Sequence, residues 1–169
     1  MPTARWSWSV RSGEIVEDWI SRLAQIRIPW STLFESAAAF RPVLIRIVWV
    51  MIGGGIGASC RYGVSLAAVK IFGSRFPWGT LAVNLSGCFL IGVSFALAER
   101  TSLMGPSVRL FFVTGFLGGL TTFSTYALET VNAIKPATFS IAAINFFTNN
   151  VLGFGLVIAG MWLIRTLRP

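Results

Sequence analysis

The sequence contains no histidine, which removes the commonest general base, proton shuttle and metal ligand. Acidic residues are also scarce, 6 against 14 lysines and arginines, and after position 42 only Glu99 and Glu129 carry a carboxylate. No histidine, buried lysine or buried carboxylate stands as an activating base for the serine, threonine and tyrosine hydroxyls, which argues against an enzyme. The 2 cysteines, Cys60 and Cys88, fall inside apolar stretches at a spacing that suits neither a zinc site nor a disulfide framework. They read as small buried apolar residues. Charge of either sign is thin, at 12% of residues where a soluble domain carries about 25%.

What fills the chain instead is apolar: 54% of its 169 residues are hydrophobic. The net charge of +8 does not form a basic patch. Its residues flank apolar stretches, as they do in polytopic membrane proteins, so nucleic acid is not the implied partner. From Pro42 onward four stretches, about 43–71, 78–98, 108–134 and 137–164, each exceed the roughly 20 residues that cross a bilayer. The connections FGSRFP, ERTSLMGPS and KP are too short for an extramembrane catalytic domain and force neighbouring helices antiparallel. An all-α membrane protein follows, with both termini on one side.

Residues 1–42 stand apart as an N-terminal extension, holding four of the six acidic residues and four of the seven tryptophans. Ile15, Val16, Trp19, Ile20, Leu23 and Ile26 recur at helical spacing, which suggests an amphipathic helix on the membrane surface. The alternative is a dispensable extension or a mis-assigned start. No apolar run with a cleavage site follows the first methionine, so it does not read as a signal peptide.

Small residues are dense in the spans. Gly53 and Gly57 form one GxxxG pair and Gly115 and Gly119 another, a pattern that lets helix backbones approach closely and, at this density, suggests that some of the small faces pack against another subunit. GGGIGA loosely matches a dinucleotide fingerprint, but no βαβ unit surrounds it. The glycosylation acceptor Asn84-Leu85-Ser86 falls mid-span and reads as fortuitous.

Polar residues inside the spans cost free energy in hydrocarbon, so each one needs a reason. Arg61 lies 18 residues past Val43, roughly 27 Å of rise, near the far interface. It is either a snorkelling anchor or a positive charge at the mouth of an anion path. Asn84 either bonds a neighbouring helix or offers its amide to an anion. Asn145, Asn149 and Gly153 repeat every four residues and share one face, with Thr148 beside them, a stripe that suits a water-filled track. In GGLTTFSTY, Gly118 and Gly119 each destabilise a helix by about 1 kcal/mol relative to alanine. A break there frees carbonyls able to hold a cation. Phe123 and Tyr126 share a side if the helix resumes, and an aromatic ring has a positive edge that can face an anion. Ser124 and Thr125 add hydroxyl donors. Many weak donors without a fixed positive charge let an anion both enter and leave.

GGGIGASCRY, GTLAVNLSG and GFLGGLTTFSTYALE together resemble the signatures of the CrcB/Fluc family of fluoride channels, over about residues 43–169. The resemblance implies a dual-topology dimer of oppositely oriented subunits with two pores, passing fluoride passively out of the cytoplasm and so lowering its toxicity. It implies a structural sodium ion held by backbone carbonyls of the broken third helix, here Gly118 and Thr121. The pore residues it implies are Asn84, Phe123, Ser124, Thr125, Tyr126 and Asn149, with Arg61 on the first span. Tyr126 stands where the family has a second phenylalanine, and the extension is not part of the family pattern. Basic residues divide unevenly: Arg41, Arg46, Arg100, Arg109, Arg165 and Arg168 on the terminal side against Lys70, Arg75 and Lys135. That favours termini in the cytoplasm of a cell with this chain in its inner or plasma membrane. It leaves two assemblies open, a homodimer and a heterodimer with an oppositely oriented paralogue. Two other classes compete. A small dual-topology multidrug exporter would need a glutamate in the first span, which is missing. A non-conducting assembly protein would not need a glycine break flanked by hydroxyls and rings.

Overall fold

The computed structural model describes Glu17, Ser21 and residues 30–167, with side chains described for Glu17, Ser21 and residues 41–167. The apolar residues of the expected surface helix, Ile15, Val16, Trp19, Ile20, Leu23 and Ile26, lie outside the described residues. The chain divides into two compact units, Met1–Pro42 and Val43–Pro169. The second contains the features that bear on function.

Among the described residues the structure is all-helical, and four helices are long and apolar enough to cross a membrane: Arg41–Phe72, Trp78–Arg100, Pro106–Asn132 and Phe139–Thr166. These are spans one to four. The turn between the first two is made possible by Gly73, whose φ of 76° is open to glycine at no steric cost. Spans two and four run parallel and pack along their length. At their shared end Arg165 pairs with Glu99 at 3.0 Å, and Arg100 donates to the Ile164 carbonyl at 3.3 Å.

The expected close approach of glycines occurs within one chain. A Cβ on Gly53 would strike the Phe111 carbonyl, and one on Gly57 the Phe116 carbonyl. A Cβ on Gly115 would lie 2.8 Å from the Val50 carbonyl, and one on Gly119 would strike that of Gly54. The two GxxxG pairs thus face each other and bring spans one and three into backbone contact. Gly92 and Gly160 do the same for spans two and four, against Val157 and Phe89. Gly55, Gly63, Gly118 and Gly155 instead face open space.

Val83, Leu117 and Leu120 form a small core, with Leu90, Phe112 and Phe116 against it. Most other large apolar side chains point outward, as Phe154, Ile158 and Trp162 do on span four. An apolar exterior around helices that satisfy their own backbone is what a lipid environment requires. Cys60 is exposed and Cys88 half-buried, and neither forms a disulfide. Cys60 therefore departs from the buried setting expected for it, because its stretch of span one faces outward.

Candidate functional site

Span three is broken, but not at its glycines. Gly118–Leu120 is still helical, and the backbone leaves the helix at Thr121 (ψ 157°) and Thr122 (φ −151°, ψ 113°) before resuming at Phe123. Two physical causes stand beside each other. Gly119 is needed where it is for the approach of span one. Asn84, on span two, competes for the backbone of Thr122: its Oδ1 accepts from the Thr122 N–H at 2.8 Å and its Nδ2 donates to the Thr122 carbonyl at 3.2 Å. One side-chain amide thus satisfies both polar groups of an extended residue. Thr122 in turn caps the resumed helix, accepting from the Thr125 N–H on its hydroxyl at 3.2 Å. The Thr122 N–H, taken by Asn84, no longer serves the Gly118 carbonyl. The Thr125 N–H, taken by the cap, no longer serves that of Thr121.

From Asn84 a chain of amides runs along span four. Asn84 Nδ2 donates to Asn149 Oδ1 at 3.0 Å. Asn149 Nδ2 donates to Asn145 Oδ1 at 2.9 Å, and Asn145 Nδ2 to Thr130 Oγ1 at 2.8 Å. The Thr130 hydroxyl donates to the Tyr126 carbonyl at 2.8 Å. Every link points the same way, so the bonds polarise one another in one direction. Asn145 is 1% exposed, which makes its full pairing a necessity.

Two clefts flank this chain. One, of about 350 Å³, sits at the helix break and is lined by Asn84, Cys88, Thr122, Phe123, Tyr126, Asn149 and Asn150 with Gly118 and Thr121. No charged side chain lines it. The other, of about 450 Å³, lies by the short connections and is lined by Ser65, Arg75, Trp78, Thr80, Glu129 and Lys135 among others. Its Arg75 and Lys135 give it a positive bias at the membrane edge. Glu129 Oε1 accepts from the Thr80 hydroxyl at 2.8 Å, while Oε2 is buried without a partner.

The sequence-expected residues divide on this geometry. Asn84, Phe123, Tyr126 and Asn149 meet at the first cleft, with the Gly118 and Thr121 backbone beside them. Phe123 and Tyr126 meet edge to face, with ring centroids 5.6 Å apart. Ser124 and Thr125 do not line it; they face outward, beside the Thr122 cap. Arg61 does not sit at the far interface. Its Nη1 donates to the Thr121 carbonyl at 3.4 Å, at the depth of the break, with span one running on beyond it to Phe72 as expected. Asn84 has no idle donor, since both of its amide hydrogens are engaged in the single chain.

Sequence reading missed Thr122, Asn150, Thr130 and the placement of Glu129. Thr122 carried a signal, as a cap-type residue immediately before a helical run. Asn150 carried a weaker one. Residues 149 and 150 both turn inward because Thr148–Leu152 is π-helical, a widened turn that helical spacing does not foresee.

Comparison with known proteins bears on the same region. Residues 48–161 match the family model described as CrcB-like protein, Camphor Resistance (CrcB). A protein named fluoride-specific ion channel FluC from Salinibacter ruber is 43% identical over 117 residues, covering 69% of this chain and 87% of the relative. Proteins of the same name from Maridesulfovibrio salexigens and Rhizobium johnstonii are 38% and 40% identical. These cover 71% and 73% of this chain, and 95% and 99% of the relatives.

Proposed function

Because this chain belongs to the CrcB family, we propose that it is a fluoride-specific ion channel of the cell's inner or plasma membrane, and that fluoride leaves the cytoplasm through it passively. The observation that carries the reading is the uncharged cleft at the break of span three, lined by amides and aromatic rings. Fluoride is small and strongly hydrated, so replacing its water takes several compact donors at close range. The edges of Phe123 and Tyr126 adjoin such a space, and an anion entering it would draw the Asn84 and Asn149 amides from the bonds they make to Thr122, Asn149 and Asn145. No carboxylate repels an anion there, and no lysine or arginine traps it, which suits conduction. The amide chain through Asn149 and Asn145 leads from this cleft toward the basic-edged one at the connections. Ser124 and Thr125, which face outward from this chain, would join the path only from the side of a second chain, and Arg61 holds its positive charge on the path's flank.

The working unit in this reading is an antiparallel dimer. Gly55, Gly63, Gly118 and Gly155 leave open space on one chain that a second helix surface could occupy. The carbonyls of Gly118 and Thr121, released from helical bonding, are hard oxygen donors of the kind a sodium ion takes. One chain supplies too few for a full shell, and a second copy would double them. Arg61, now at 3.4 Å from the Thr121 carbonyl, would have to give up that bond. The ion's contribution would be structural, tying the two breaks together. The excess of arginine on the terminal side puts the termini in the cytoplasm. Residues 43–169 are the channel domain and 1–42 an appended surface segment.

Expression in bacteria stripped of their own fluoride export tests the reading. Growth at fluoride concentrations that stop the parent strain is expected, with loss of rescue in Phe123→Ile. A membrane-inserted chain that gives no tolerance would remove the function.

A further inference from the structure

Asn150 makes two hydrogen bonds through one atom. Its Nδ2 donates to the Phe146 carbonyl at 2.8 Å and to the Tyr126 hydroxyl oxygen at 2.7 Å. A carbonyl can only accept, so the nitrogen, not the oxygen, must face Phe146, and the amide orientation is fixed. The Tyr126 hydroxyl therefore acts as acceptor toward Asn150. Its own proton must point elsewhere, and no acceptor for it is found among the described residues. Tyr126 is only 6% exposed, so that proton is not simply released to bulk water. A buried O–H without an acceptor costs free energy unless something comes to meet it. Both residues line the cleft at the break.

We propose that the Tyr126 hydroxyl is a hydrogen-bond donor to fluoride in that cleft, and that Asn150 is the positioning residue that turns its proton inward. The inference rests on the channel reading above. It gives the tyrosine a role that a phenylalanine at this position cannot perform. A phenol O–H offers a linear bond at short range, which a small anion exploits better than a large one, so the pair sharpens discrimination between fluoride and chloride. Asn150 can reach the hydroxyl because the π-helical segment Thr148–Leu152 turns both Asn149 and Asn150 inward. Asn149 serves Asn84, and Asn150 serves Tyr126.

The test uses the full chain in liposomes, with fluoride and chloride efflux measured side by side. Tyr126→Phe keeps the ring and removes the hydroxyl. Its fluoride-over-chloride ratio is expected to fall about tenfold, the worth of one hydrogen bond to a charged group. Asn150→Ala should lower the ratio severalfold, and the double variant should be no worse than Tyr126→Phe alone. Additive losses would mean that Asn150 does not act through Tyr126. A second readout does not depend on transport. Tyr62 and Tyr126 are the only tyrosines, so Tyr62→Phe leaves one reporter. Its Raman tyrosine doublet is expected to shift on fluoride addition and not on chloride, and Asn150→Ala should weaken the shift. An unchanged ratio in Tyr126→Phe, or a doublet indifferent to fluoride, overturns the proposal while leaving the channel intact. Absence of fluoride efflux from the unmodified chain would instead overturn the channel reading, and this proposal with it.

Discussion

Asn84→Asp is the substitution with the most informative consequence. Asn84 accepts from the Thr122 N–H and donates to the Thr122 carbonyl and to Asn149 Oδ1. Aspartate keeps the first bond and loses the other two. It also turns a carboxylate oxygen toward two acceptors, which strands each at a cost of about 1–3 kcal/mol. An anion in the adjoining cleft would then meet a full negative charge. At a separation of about 6 Å and an effective dielectric constant of about 20, the repulsion is about 3 kcal/mol, or roughly 100-fold in rate. Asn84→Ala loses the same donors without adding charge, so it separates the two effects. Fluoride efflux from liposomes should fall in both variants, and by on the order of 100-fold further in the aspartate. Equal rates for Asn84→Asp and Asn84→Ala would refute the electrostatic reasoning, and wild-type efflux in Asn84→Asp would take this residue out of the pathway.

Three further outcomes are expected. Phe123→Ile removes the ring edge that meets Tyr126 at 5.6 Å, and should block conduction with an unchanged elution volume on size exclusion; transport at the normal rate would show the ring to be packing only. Gly119→Ala drives a methyl into the Gly54 carbonyl and should destabilise the protein by about 1–3 kcal/mol, whereas Gly63→Ala, mid-helix in open space, should be neutral or stabilise by up to about 1 kcal/mol in detergent unfolding. Exchange of sodium for a large organic cation should lower the unfolding midpoint, and an unmoved midpoint would argue against a structural ion at Gly118 and Thr121.

Much of this architecture is legible in the sequence, because the features that set it are local and repetitive. Four apolar runs with short connections leave little choice of topology, and the two GxxxG pairs name the faces that meet. The break in span three is legible in its neighbourhood and not in its position. Gly118 and Gly119 suggest it by propensity, yet both stay helical. The residue that opens the backbone is Asn84, 38 positions away, acting on Thr122. Such a contact has no local signature. Arg61 is misplaced in depth for a related reason: rise counted from Val43 says nothing of the Thr121 carbonyl, 60 positions away at the break, to which its guanidinium donates. Asn145 and Asn149 follow from a spacing of four, while Asn150 requires a π-helical turn. Adjacency to the rings suggests Ser124 and Thr125 for the cleft, but capping by Thr122 sets the phase of the resumed helix and turns them outward.

The most direct test is efflux from liposomes reconstituted with this chain alone, with chloride as comparison and a potassium ionophore carrying the compensating charge. Rapid efflux of fluoride and little of chloride is expected. Fluoride release no faster than from protein-free liposomes, or no faster than that of chloride, would contradict it.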